Sequence, residues 1–336
     1  MPHAEAVGPA DLRKLTEPGI TKLFQPRIFE RGRAYFEEGR VLRPVVYKNS
    51  IMAECRGTMP GNYQISIDIS DNRFIASCTC PYVFGYCKHI AAVLYAWIKR
   101  PSSFKDLGNS ERLLLNLPKE EIVEIIMDMT RYDPDVIYVI NLRLTPVRDL
   151  PTFVSRELHN IFSDETVDYL TIREIVKKLE IFREYAADLF RSGRSDSGIS
   201  VIDLVIEAVI ANYTKVDDAD RLMLNFFIVA LELFGVMLPG ISDEGMLRSL
   251  LTRTLDWYMD AEWGLENPLN EFIAYRSVKL HQSQYMMDVI ELKRDDFKRS
   301  FMAAGWGSSE EYEYIDERIQ RLSSLRSTIQ AGSRGQ

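Results

Sequence analysis

The 336-residue sequence holds only four histidines and four cysteines, and none of its 18 glycines is followed by lysine. The missing Gly-Lys step excludes the loop that cradles phosphates in P-loop nucleotidases, so no nucleotide cofactor is expected. His3, His159 and His281 stand outside any nucleophile or metal pattern, so a hydrolase site among the helices has no motif behind it and the chain reads as a non-enzyme. No apolar run reaches the roughly 18 residues needed to span a bilayer, so no membrane association is expected. The opening Met1-Pro2-His3-Ala4-Glu5 lacks the basic-then-apolar pattern of a secretory signal, which leads to a cytoplasmic expectation. In that reducing compartment four cysteines make poor disulfide partners.

What the chain does have is an uneven charge. Residues 1–105 hold 15 Lys+Arg against 9 Asp+Glu, a balance of +6, and the remainder holds 26 against 40, a balance of −14. A basic first part on an acidic body suggests that only the first part can meet a polyanion; the alternative is ordinary scatter of surface charge.

Periodicity divides the chain in the same place. Residues 1–17 read as a flexible leader. Leu23, Phe24, Ile28, Ala34, Tyr35 and Phe36 recur at helical spacing until Gly39 stops the helix. Val41 to Tyr47, a Lys48-Asn49-Ser50 turn and Ile51 to Cys55 form one hairpin. Tyr63 to Ile69 alternates apolar and polar, turns at Asp71-Asn72 and returns to Cys78 as a second hairpin. Ile90, Val93, Leu94 and Trp97 then mark one face of a helix that ends before Pro101. The fold class expected is α+β: a four-stranded module over 18–100, a linker over 101–110, a helical domain over 111–330 and a disordered tail over 331–336. Within the helical domain, Asp133-Pro134, Thr171 with Glu174, and Ser308 with Glu311 read as helix starts. Further helices fit around 198–213, 218–235, 243–260, 267–283 and 308–329. A short solenoid of antiparallel pairs and an irregular bundle both account for that spacing.

One stretch is sharper than the rest: Cys78-Thr79-Cys80-Pro81-Tyr82-Val83-Phe84-Gly85-Tyr86-Cys87-Lys88-His89. Cys78 and Cys80, two apart at a strand end, lean to one face. A loop containing Pro81 and Gly85 leads back to Cys87, and His89 falls on the first turn of the next helix. Three sulfurs and one imidazole nitrogen suit tetrahedral zinc, and four protein ligands leave no open position for catalysis. One structural Zn2+ is expected, with a folding role. Val83, Phe84, Ile90 and Trp97 read as core of the module, and Cys55 as a small buried apolar residue.

The C-x-C, spacer, C-x-H order of Cys78, Cys80, Cys87 and His89 resembles the SWIM zinc-finger family. The run from Arg31 to Val41 looks like the lead-in helix of prokaryotic members, so the resemblance covers about residues 20–100. It implies DNA-binding or protein-binding, with a helicase or recombination factor as the kind of protein partner. From the residues themselves, Arg31, Arg33, Arg40, Lys88, Lys99 and Arg100, with Arg27, Arg43, Arg56 and Arg73, can face phosphates, and Tyr82, Phe84 and Tyr86 can stack on unpaired bases. The alternatives are arginines paired with Glu30, Glu37 and Glu38, and a scaffold that binds protein alone. In either case the acidic helical domain is the expected site for a protein partner.

Overall fold

The computed structural model describes residues 12–57, 62–70, 73–80, 82, 85–163, 167–168, 171–303 and 309–334. The chain forms two compact units, one of residues 1–137 with 220–225 and one of 138–219 with 226–336.

In the first unit a short helix α1 (Glu17–Thr21) precedes α2 (Pro26–Glu37), which has proline in its first turn, where no amide donor is needed. Gly39 ends α2 in a left-handed conformation (φ 67°), which lets the Arg40 amide donate to the Tyr35 carbonyl at 3.0 Å. Strands β1 (Val41–Tyr47) and β2 (Ser50–Arg56) make a hairpin with Lys48-Asn49 as its two-residue loop, and β3 (Asn62–Ser70) and β4 (Arg73–Cys78) extend it antiparallel. A register shift between Leu42 and Val45 accommodates Arg43 at φ 45° and Pro44, which has no amide to donate to the ladder. Helix α3 (Lys88–Lys99) follows, and β5 (Lys105–Asp106) pairs parallel to β1, giving the order β4-β3-β2-β1-β5. This fifth strand is two residues long and has no periodicity to read. It lies where a linker was expected. The Asp71-Asn72 turn and residues 1–11 lie outside the described residues.

Alternation in β3 buries Tyr63, Ile65, Ile67 and Ile69 on one face, against α3. In α3 everything from His89 to Ala96 is buried, because the sheet covers one side and α2 the other. The two helices approach most closely at Gly32, where a Cβ would lie 2.5 Å from the Ala91 Cβ. Two more helices, α4 (Leu107–Leu114) and α5 (Lys119–Tyr132), belong to this unit.

The second unit is helical: α6 (Val136–Leu144), α7 (Leu150–Ile161), α8 (Thr171–Arg191), α9 (Ser195–Asn212), α10 (Leu222–Met237), α11 (Glu244–Asp260), α12 (Glu266–Lys279), α13 (Ser283–Ala303) and α14 (Ser309–Arg334). The first residues of α6 and α10 group with the first unit. Asp133 turns the chain into α6, its carboxylate accepting from the Asp135 amide at 3.1 Å. Gly193 closes α8 at φ 78°. The start of α8 differs in detail from the expected Thr171 cap: Asp168 accepts from both the Thr171 amide (2.8 Å) and its hydroxyl (2.7 Å). Ser308 lies outside the described residues, and α14 runs on to Arg334, into the segment expected to be a tail. Helix α8 packs along α9, α7 also lies on α9, and α14 lies against both α12 and α13.

The hydropathy expectation needs one correction. Ser195–Lys215 and Leu222–Gly240 are long and apolar enough to cross a membrane by length and composition. Scattered polar residues such as Asp203 and Asn225 hide this from a search for uninterrupted runs. More than half of each window (56% and 61%) is buried inside the protein, as core helices also are.

Candidate metal centre

The ladder carries Cys78 at the end of β4, opposite Ile65, and continues through the Thr79 amide, which donates to the Gln64 carbonyl at 3.1 Å. Strand periodicity therefore still holds at Cys80 and turns both sulfurs to one side. Gly85, at φ 108°, makes the return turn that a residue with a Cβ would resist. Cys87 is the N-cap of α3 and His89 sits in its first turn. Three ligands are buried to about 3% exposure, and Cys78 is half-buried.

The four ligand atoms lie within 4.8 Å of one another. The His89 Nδ1 is 3.7 Å from the Cys78 Sγ and 3.7 Å from the Cys87 Sγ. A zinc tetrahedron with ordinary bond lengths has S···S and S···N edges of about 3.5–3.8 Å, so the donor set fits this ion. The electrostatics agree. Burial pushes the Cys78 and Cys87 thiols up, while Cys80 is held low by the hydrogen bonds that Cys78 and Cys87 direct to it. Without a cation, burial opposes the ionisation of Cys78 and Cys87. A divalent cation offsets that cost by pairing with every thiolate. The Ile90 amide at the start of α3 also favours the Cys87 thiolate. Bound here, zinc supplies a closed cross-link between the end of β4 and the start of α3.

Aromatic rings orient the imidazole. Tyr63 lies 4.7 Å from the His89 ring and Tyr35 lies 5.4 Å from it, centroid to centroid. The His89 Nε2 is buried without a hydrogen-bond partner among the described residues, so packing fixes this ring where many zinc sites use a carboxylate or carbonyl. Asn225, from the part of α10 that belongs to this unit, donates its Nδ2 to the Cys80 carbonyl at 3.0 Å. Sequence reasoning missed all three supports. The available signal for Asn225 was a lone amide in a largely apolar helix, whereas Tyr35 and Tyr63 look like ordinary core residues. Cys55 is fully buried in β2, outside the ligand group, and burial raises its thiol to about 12. That matches its reading as a small apolar residue.

Tyr86 is half-buried against the core: its ring packs 5.0 Å from Phe74 and its hydroxyl donates to the Phe74 carbonyl at 3.1 Å. Tyr82 is half-buried against the same core, and Val83 and Phe84 lie outside the described residues. Ile90 is buried as expected, and Trp97 is partly buried with its Nε1 donating to the Leu12 carbonyl at 3.0 Å.

The candidate phosphate-contacting residues form two groups. Arg31 and Arg33 lie about 200° apart on α2, on opposite flanks of its buried stripe. On one flank, Arg40 and Lys88 each lie 4.5 Å from the Tyr35 ring centroid. On the other, Arg33 and Lys99 lie over Tyr95 at 5.7 and 5.2 Å, and Arg100 lies over Phe36 at 5.1 Å. Carboxylates engage three of them: Glu30 and Glu37 flank Arg33, Glu38 holds Arg40, and Glu17 holds Lys99 at 2.7 Å. Arg31, Lys88 and Arg100 have no carboxylate partner among the described residues.

With the site in place, comparison with known proteins gives it a family. A stretch of 110 residues, 33% of the chain, is 31% identical to an uncharacterized protein of Methanocaldococcus jannaschii. The match spans 45% of that relative, so the chain covers less than half of its length. No solved structure matches. Residues 63–98 match the SWIM zinc finger family, a segment that contains all four ligands and most of α3. Residues 63–98 are thus a SWIM zinc finger, and Cys78, Cys80, Cys87 and His89 are its ligand set for one structural zinc.

Proposed function

We propose that this chain is a non-enzymatic adaptor whose zinc-finger unit contacts DNA and whose acidic helical region docks a protein partner. The observation that carries the DNA reading is the placement of Lys88 and Arg100. Both lie at the ends of α3, each over an aromatic ring of α2 and neither paired with a carboxylate among the described residues. Lys88 adjoins the ligand His89, so the zinc cross-link that orders the start of α3 also fixes this cation. Contacts of this kind give affinity without reading sequence. The SWIM resemblance supports the same reading and adds a helicase or recombination factor as the class of protein partner. The matched relative is itself uncharacterized and contributes no activity.

Titration of the full chain with short single- and double-stranded DNA, followed by fluorescence anisotropy, tests the reading. Binding is expected at about 50 mM salt and should weaken steeply towards 200 mM. Lys88→Glu with Arg100→Glu should abolish it while zinc content stays at wild-type level. A second reading, a scaffold that binds protein alone, is favoured by the carboxylates already engaging Arg33, Arg40 and Lys99. Absence of any shift at low salt would put that scaffold first.

A further inference from the structure

Between α11 and α12 the chain turns tightly around a tryptophan that the fold does not need. The Leu265 amide donates to the Glu262 carbonyl at 3.2 Å, and both central residues are left-handed, Trp263 at φ 57° and Gly264 at φ 100°. Two positive φ angles in succession mark a type I′ turn, whose central positions take Asn, Asp or Gly. Gly264 meets that demand. Trp263 does not, and a bulky side chain at this φ strains the backbone. The turn is nevertheless firmly anchored. Ala261 and Leu265, on either side, are 0% and 1% exposed. Arg321 of α14 donates to the Ala261 carbonyl at 2.7 Å, and the Glu266 carboxylate accepts from the Gly264 amide at 2.8 Å. Trp263 itself is 78% exposed. Most of a side chain of about 200 Å² therefore stands in water on a fixed support. One exposed apolar side chain is ordinary. One that also strains its backbone gives folding nothing that asparagine would not, and strain of this kind is kept where a residue binds something.

Charge identifies the occupant. Asp260, Glu262 and Glu266 flank the ring in sequence, and Glu262 is exposed with no cation paired to it among the described residues. The cations beside this loop are already engaged: Arg321 pairs with Glu317, and Arg318 is buried near Asp260 with its guanidinium 4.6 Å from the Tyr314 ring centroid. An indole face next to an open carboxylate attracts a guanidinium or ammonium group through the ring quadrupole and the negative charge together. The same carboxylates repel a phosphate backbone or an anionic membrane. A cationic protein segment fits both features.

We infer that Trp263 and Glu262 form a docking point for a basic segment of a protein partner, with an arginine or lysine side chain laid on the indole. This rests on the reading that the acidic helical region docks a protein, and it gives that region an address and a chemistry. The probe is a fluorescently labelled twelve-residue peptide with arginine at every third position, beside the same peptide with citrulline for arginine. Each is titrated with the full chain at about 50 mM salt and followed by anisotropy. The arginine peptide should bind and the citrulline peptide should not. Trp263→Asn should weaken binding about tenfold. Its urea midpoint should stay at or above that of wild type, because asparagine suits the turn better. Glu262→Gln should weaken binding about threefold. Equal binding by Trp263→Asn, or equal binding of the citrulline peptide, would overturn the inference and leave the docking reading to another face. A lowered urea midpoint in Trp263→Asn would assign the ring to the fold and overturn it too. Self-association of the chain that Trp263→Asn abolishes would give the turn to a second copy instead. The docking reading fails separately, if the full chain retains no protein at all from native extract.

Discussion

Burial opposes the ionisation of Cys78 and Cys87 beside Cys80 and His89, and a bound cation offsets that cost, so this unit is expected to depend on zinc for its order. Replacing Cys80 by Ser, or His89 by Ala, should remove about one zinc per chain and unfold the β1–β5 sheet, as read by elemental analysis and circular dichroism. The rings around His89 act through the ligand's orientation. Tyr63→Leu should therefore leave the ligand set intact and weaken zinc binding about tenfold in a chelator competition. The ligands themselves were legible from type and spacing alone. Tyr35, Tyr63 and Asn225 were not, because their role depends on which elements the fold brings together. Asp203 is another residue that only the fold explains. It is nearly buried in α9, with Arg253 of α11 at 2.9 Å. Burial raises its carboxyl from 3.8 to about 6, against the pull of Arg253. The folded state thus holds this proton more tightly than the unfolded chain does. Stability is unaffected by it below about pH 4 and falls as pH rises towards and through 6. Asp203→Asn should gain up to about 3 kcal/mol relative to wild type between pH 4 and pH 7, measured by urea unfolding at each pH.

At the scale of elements, the α2–α3 crossing positions the finger. Gly32 allows α2 to approach α3 until a Cβ would meet both Ala91 and the Lys88 carbonyl. Gly32→Ala should then cost about 1–3 kcal/mol in denaturant unfolding, although alanine favours helices elsewhere. A sequence reader sees Gly32 as a helix blemish, since close approach leaves no periodic trace. Strands β1–β4 and many of the helices were legible because alternation in β3 and the glycine stops at Gly39 and Gly193 are local signals, whereas α1, α4, α7 and α13 match no expected helix. Strand β5 was not, being too short to carry a period. Nor was the packing of Tyr86, which sits half-buried against Phe74 and Phe24.

For the whole molecule, charge and composition located the change from basic to acidic sequence but not the limits of the compact units, which follow contacts made across long sequence separations. Residues 220–225 join the first unit although residues 138–219, which belong to the second, separate them from it in sequence. Zinc is held wholly within that first unit, so chelation should melt the sheet and spare most of the helical signal, giving two resolved thermal transitions where the metal-loaded chain shows its first unit stabilised. The central claim is that one zinc, closed by three sulfurs and the His89 nitrogen, holds the finger together. Zinc K-edge X-ray absorption of the purified chain tests it most directly. The account expects one zinc per chain with about three sulfur scatterers near 2.3 Å and one nitrogen near 2.0 Å. A shell containing oxygen in place of a sulfur, or a folded chain without zinc, would contradict it.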